Sequence, residues 1–301
     1  MTTVTRDARA VPADLRAGSI STRRRITDYI AKALIVLALL IALVPLGLVT
    51  AYVISKGAHM ISWNFLTGRI PRQQTTAGGG IGPAIIGTLI TTAAASALAI
   101  PLGVLGAIYL NEYGKQGPLA RTIRTMTDVM TGVPSIVMGL FIYLTVVTLT
   151  EKRTAFAGAL ALACLMLPVV IRTTEEMLRL VPDELRQASL ALGARKWRTT
   201  LTVVIPAAIS GIMSGALLAI ARAAGETAPI VLVVGITYRP NWSLFNGGNT
   251  ALPALIYNNA SSPYEPAVNL AWGAALTLVA IVLIATLIGR FIASRYAIKE
   301  R

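Results

Sequence analysis

The sequence predicts an all-α membrane protein with six transmembrane helices, on three observations. Apolar residues make up 55% of the 301 and charged residues only 13%, mean hydropathy is +0.68, and stretches without one charge recur at bilayer-crossing length. So apolar a chain has too little polar surface to clothe a soluble domain of its size. The charge-free stretches are 33–55, 82–111, 129–150, 154–171, 199–221 and 266–289. At ~1.5 Å per residue even the shortest reaches ~27 Å, close to the ~30 Å hydrocarbon thickness. A buried helix of a soluble protein carries a polar face at the 3.6-residue period. The first stretch, ALIVLALLIALVPLGLVTAYVIS, has none. It follows a long segment containing Arg23, Arg24 and Arg25 and has no small-residue cleavage site, so it is a span and not a removable signal. With their flanks the spans fall at 33–55, 82–111, 125–150, 154–171, 203–236 and 266–289. They form a membrane domain, 29–295, between a disordered charged tail, 1–28, and a short tail, 296–301.

The basic residues orient these spans. The segments 1–30, 111–124, 172–198 and 290–301 hold 19 of the 27 lysines and arginines, whereas 56–81, 151–153 and 236–265 hold six. That asymmetry predicts cytoplasmic termini and cytoplasmic second and fourth connections. It accounts for the net charge of +14 through anionic lipid headgroups, without nucleic acid. Basic residues interleaved with aromatics, as nucleic-acid binding would need, are absent. One cysteine, Cys164, and one histidine, His59, allow no disulfide framework, Cys/His metal site or Ser-His-Asp chemistry. Cys164 lies in an apolar run and reads as packing. No repeat of 20 to 50 residues is visible, which disfavours a duplicated single-chain transporter.

Between spans, 56–81 ends in the turn-rich QQTTAGGGIGP. The 236–265 segment joins turn signals, Arg239-Pro240 and Asn246-Gly247-Gly248, to an apolar stretch around Leu252–Ile256 that reads as re-entrant or interfacial. In the third span Pro134 removes a backbone hydrogen bond, Gly132 and Gly139 thin the helix, and Ser135 can satisfy a freed carbonyl. The result is either a kinked, tightly packed helix or a broken one. Asp128 reads as an N-terminal helix charge. Pro45, Pro101 and Pro168 read as kinks.

The connection from Arg172 to Arg198 carries the most information. Pro182 followed by Asp183 and Glu184 starts a helix, and Gly193 stops it. A second short helix then runs into the fifth span. Leu185, Ser189 and Leu192, with Ala188 beside them, form a small apolar stripe suited to a groove or to the lipid surface.

Gln187-Ala188-Ser189, Gly193, Val203, Ile205 and Pro206 are similar to the cytoplasmic motif of bacterial ABC-importer permeases, E-A-A, three residues, G, nine residues, I-x-L-P. Gln187 stands where the motif has glutamate and Ser189 where it has alanine. The strings GGIGPAIIGT (79–88), TGVPSIVMGLF (131–141), PDELRQASLALGARKW (182–197) and ARAAGETAPI (221–230) resemble the A-subunit permeases of phosphate-specific transport systems. The C-subunit permeases share parts of two of these strings.

The resemblance implies a type I ABC importer permease (MetI-like) fold and half of a phosphate translocation pathway in the bacterial inner membrane. It further implies a separate ABC ATPase homodimer docked on a coupling helix, with Glu184, Leu185, Gln187, Ala188, Ser189, Leu192, Gly193 and Pro206 as the coupling residues. A second homologous permease and an extracytoplasmic phosphate-binding protein complete the implied assembly. This chain has no P-loop, because its Gly-Lys pair, Gly114-Lys115, is followed by Gln116. It is therefore no ATPase, carries no catalytic residue, cofactor or metal, and leaves ATP and magnesium to the partner ATPase.

Arg222 and Glu226 are the ionisable residues well inside a hydrophobic region. Facing lipid at mid-bilayer, each would cost about 2.5–3.5 kcal/mol, so they face protein or a water-filled path. Their i, i+4 spacing permits either a helix-pinning salt bridge or a pathway arginine for the anion, held in orientation by Glu226. Gly225 would permit close helix approach and Thr227 would bond the pair. With Pro134 and Ser135, which would offer backbone N–H groups at a helix break, these residues form the expected substrate path. Permeases for sulfate or molybdate, and a proton-coupled carrier using Glu226, are the rival readings.

Overall fold

The computed structural model describes residues 22–296, which are helical with no strand among them. They fall into two units that divide after Tyr52. The first, 22–52, is the greater part of α1 (Thr22–Gly57), whose side chains from Arg23 to Tyr52 are exposed. Residues 22–28, assigned above to a disordered tail, are helical; the rest of that tail, and 297–301, lie outside the described residues.

In the second unit a 3-10 turn (Ala58–Met60) leads to the short α2 (Trp63–Thr67), whose N-cap Ser62 accepts a hydrogen bond from the Phe65 amide. Next comes α3 (Gly82–Ile108), with Pro83 in its first turn, where a missing N–H costs nothing. It ends in a π-helical turn, Tyr109–Gly114. Then follow α4 (Pro118–Gly132), α5 (Ser135–Ile142), a π-turn (Tyr143–Val147) and α6 (Thr148–Thr150). The Thr154 hydroxyl caps α7 (Ala155–Arg179) by accepting from the Ala157 amide. The chain continues through α8 (Asp183–Ala191), α9 (Lys196–Thr199), a π-turn (Thr200–Val204), α10 (Ile205–Gly225), α11 (Ala228–Val233), α12 (Leu252–Ala260) and α13 (Glu265–Tyr296).

Five helical stretches are long and apolar enough to cross a membrane, and α4 with α5–α6 makes a sixth only as a pair bent by 105°. The expected third span is thus broken at Val133–Pro134 and not merely kinked. The expected fifth span, 203–236, is also interrupted: α10 stops at Gly225 and α11 is a separate turn and a half. The fourth runs on past 171 to Arg179, so the first part of the expected coupling loop is a continuation of α7.

The most extensive helix pair is α3 with α7. Along α3, Gly87, Thr91, Ala95, Ala99, Gly103 and Ala107 recur every fourth residue, and all are buried. Small residues at that spacing let two backbones approach, and in lipid packing of this kind replaces the hydrophobic drive. At Gly103 an added Cβ would lie 2.7 Å from the Val170 side chain, so a larger residue there would separate the pair. A second cluster joins Phe65, Ile81 and Ala84 to Leu252, Leu255 and Leu270. Here the Leu252 amide donates to the buried Thr88 hydroxyl at 2.8 Å. The stretch around Leu252–Ile256 is accordingly the first part of a buried helix, α12, packed on α3 and α13. Large apolar side chains such as Leu102, Leu105, Leu218, Leu283 and Leu287 are left exposed on the long apolar helices, as on a surface that faces lipid.

Candidate functional site

Two groups of residues stand out, one at the interruptions of the third and fifth spans and one at an end of the helix bundle. The interruptions belong together because α5, which follows the first, packs on α11, which follows the second. Gly139 makes this contact possible: a Cβ there would lie 2.6 Å from the Pro229 Cα. Gly139→Val should therefore destabilise the fold by about 1–3 kcal/mol. An earlier thermal transition in detergent is expected for this variant than for Gly132→Val, since an added Cβ at Gly132 meets nothing within 4 Å.

At the first interruption Pro134 is the N-cap of α5, exposed, with a half-buried Ser135 beginning the helix. At the second, Arg222 lies in the last turn of α10 and Glu226 just beyond its end, in extended backbone. Arg222 Nε and Glu226 Oε1 are 3.6 Å apart, with Arg222 69% and Glu226 18% exposed. An arginine so open is not pinned by its partner. The Thr227 hydroxyl is turned to the Gly225 carbonyl, 3.4 Å away, and not to the ion pair. Gly225 has open space where its Cβ would be, so it serves no close helix approach. No hydrogen bond or ion pair among the described residues joins Ser135 to Arg222 or Glu226.

The second group surrounds α8. Gly193 takes φ +82°, the left-handed conformation that glycine adopts without steric cost, and the Ala194 amide closes onto the Ser189 carbonyl at 3.2 Å. Leu185, Gln187, Ala188 and the 90%-exposed Leu192 face outward, as does Glu184. Ser189, half-buried, ties α8 to α9: its hydroxyl lies 2.9 Å from that of Thr199. Pro206 stands in the first turn of α10, beyond the π-turn, and is half-buried.

The residues fastening α8 to the bundle are ones that sequence reasoning missed. Arg186, only 16% exposed, meets the buried Glu112 of the α3 π-turn at 3.1 Å and Asp183 at 3.1 Å. It also donates to the Leu178 carbonyl at 2.8 Å. Nearby, the buried Glu175 receives Arg124 at 2.9 Å and Arg179 at 2.7 Å. Asp128, expected as an N-terminal helix charge, lies instead in the last turns of α4 and pairs with Arg172. The local pairs Glu175/Arg179 and Asp183/Arg186 were readable from i, i+4 and i, i+3 spacing. Nothing in the sequence announces Arg186 with Glu112, which are 74 positions apart. No group of three or more His, Cys, Asp or Glu side chains among the described residues is arranged to hold a metal.

All-helical described residues with several helices long and apolar enough to cross a membrane, two interrupted spans packed on each other and a polar elbow at one end define a polytopic membrane protein. Residues 99–298 match the family model of the binding-protein-dependent transport system inner membrane component, and the chain belongs to that family. It is 45% identical to the phosphate transport system permease protein PstA of Mycobacterium leprae, the match covering 92% of each chain. It is 44% identical to the phosphate transport system permease protein PstA 1 of Mycobacterium tuberculosis, again over 92% of each. A chain of the MetNI methionine ABC transporter in inward-facing conformations shares the fold, with a TM-score of 0.59 at 18% identity, covering 78% of this chain and 97% of that one.

Proposed function

We propose that the chain is a permease subunit of an ATP-driven importer of inorganic phosphate, lining half of the pathway beside a second homologous permease. The observation that carries the substrate is the likeness, over nearly the full length of both chains, to permeases named for phosphate transport. Supporting a substrate path there, the interruptions at Pro134 and Glu226 leave helix ends free of intrahelical bonds, and Arg222 stands open beside one of them. A guanidinium presents donors matched to two phosphate oxygens. Glu226, an acceptor when ionised, repels the anion and serves to orient Arg222 until phosphate takes its place.

In this reading the termini and the α8 elbow are cytoplasmic. That is supported by the gathering of Lys115, Arg124, Arg172, Arg179, Arg186 and Lys196 at one end of the bundle. The exposed Leu185, Gln187, Ala188 and Leu192 dock an ABC ATPase dimer that binds ATP and magnesium, and an extracytoplasmic phosphate-binding protein delivers cargo at the opposite face. Closure of the ATPases displaces α8 and, through α9, the π-turn and Pro206, reorients α10. The test is purification of the chain from membranes with its partners, followed by uptake into vesicles. Co-purification of one ATPase and one homologous permease with ATP-dependent phosphate uptake is the expected result. Uptake of sulfate or molybdate alone would reassign the substrate, and uptake surviving ATPase inhibition would overturn the mechanism. A cysteine at Leu192 labelled only from outside the cell would overturn the orientation.

A further inference from the structure

Between α8, the start of α9 and the π-turn of α3 lies a polar cleft of about 530 Å³, lined among others by Asn111, Lys115, Arg179, Gln187 and Lys196. Its charges do not balance. Arg186 is matched by Glu112 and Asp183, and Arg179 shares the single carboxylate of Glu175 with Arg124. Lys115 and Lys196 have no carboxylate within ion-pair distance among the described residues; the Lys196 ammonium rests 4.9 Å from the centre of the Tyr113 ring. The charges lining the cleft are four cations, Lys115, Arg179, Arg186 and Lys196, and two carboxylates, Glu112 and Asp183, an excess of two positive charges. Lys115 is also held in an unusual backbone conformation, φ +41° and ψ −105°. Arg124 fixes it there by donating to the Lys115 carbonyl at 2.6 Å and to the Leu110 carbonyl at 3.0 Å. A lysine kept at positive φ by a dedicated arginine is conformational strain retained at one place, the pattern found where a side chain must be presented in a set position.

We infer that this cleft binds a phosphate-type anion, either free phosphate or the phosphodiester of an anionic lipid headgroup, between Lys115 and Lys196. The excess of positive charge attracts such an anion, and the volume is that of ligand sites. Lys115 belongs to the end of α3 and Lys196 to α9, so an anion joining them fastens the elbow to the bundle and opposes its displacement. The inference rests on the cytoplasmic orientation proposed above, in which the cleft opens where imported phosphate is released; a filled cleft then slows import.

The test is hydrogen exchange of the assembled transporter in nanodiscs, read at 111–116 and 183–199, with inorganic phosphate as the probe. In phosphatidylcholine alone, phosphate is expected to protect both segments, and Lys115→Gln/Lys196→Gln to weaken that response roughly tenfold or more. Protection that appears in phosphatidylglycerol nanodiscs without phosphate, and is lost in the double variant, assigns the site to the lipid headgroup. Either result upholds the anion site. Protection in neither setting, protection unchanged in the double variant, or protection already complete in phosphatidylcholine without phosphate, as an acidic surface of the ATPase would give, overturns it. Both lysines are exposed, so the variant folds. Phosphate uptake by the unmodified transporter, measured in parallel, separates the two ideas: normal uptake without the binding response sinks the cleft alone, while no uptake sinks the proposed function.

Discussion

Arg222→Ala is expected to abolish phosphate uptake and to leave the amount of chain in the membrane unchanged. Arg222 is open and its contact with Glu226 is long, so the packing of α10 on α7 and α13 does not depend on it. That packing instead uses Gly211, Gly215 and Gly289, where an added Cβ would meet Met177, Thr173 and Leu217 within 2.1 to 2.4 Å. Removal of the guanidinium takes away the cation placed at the interruption of an otherwise uncharged helix, and uptake into vesicles should fall by at least about tenfold. Arg222→Lys keeps the charge and loses the planar fork, so intermediate uptake is expected. The measurement is radiolabelled phosphate uptake beside quantification of the membrane-embedded chain. Disappearance of the chain from the membrane would make the ion pair a structural one.

Arg186→Ala gives a different outcome, with both stability and coupling impaired. Glu112 is 7% exposed and loses its cation, and the Leu178 and Val181 carbonyls lose their donor. Breaking a buried pair by removing one partner costs about 3–5 kcal/mol, so detergent-solubilised protein should melt earlier and α8 should become sensitive to protease. The elbow is then no longer fastened to α3. In transporter that still assembles, ATP hydrolysis should persist while its stimulation by loaded binding protein is lost. Arg186→Lys, which preserves the charge and fewer of the hydrogen bonds, should recover part of both. Unchanged stimulation in Arg186→Ala would show that motion bypasses this link.

The positions of the membrane-crossing helices were legible in the sequence because charge is so costly in hydrocarbon that spans appear as gaps in the charge pattern. The elbow was legible for a local reason: Pro182, Asp183 and Gly193 specify a start and a stop by their own backbone preferences. The interruptions were harder. Pro134 and Gly132 signal a weak point but do not say whether a helix bends or stops. Gly225 and Pro229 likewise mark a stop and a restart, but the apolar runs on either side of them read as one span. The packing of α11 on α5 is encoded by no local pattern. The fastening of Arg186 to Glu112 was invisible for a related reason. Glu112 sits at the end of an apolar stretch, where a charge reads as an ordinary membrane-edge residue, Arg186 lies within the polar connection, and only the folded chain brings them into contact.

The every-fourth-residue line of small side chains on α3 also determines what kind of machine part that helix is. Seated backbone to backbone on α7 and continued by its π-turn, it has a hold at each end: Arg186 grips it at Glu112, and Thr88 grips the first amide of α12. The two holds are 24 residues apart in the sequence, ~36 Å at the helical rise. In the coupling proposed above, a tilt applied at one rim would be carried along α3 to the opposite rim and would displace α12 there.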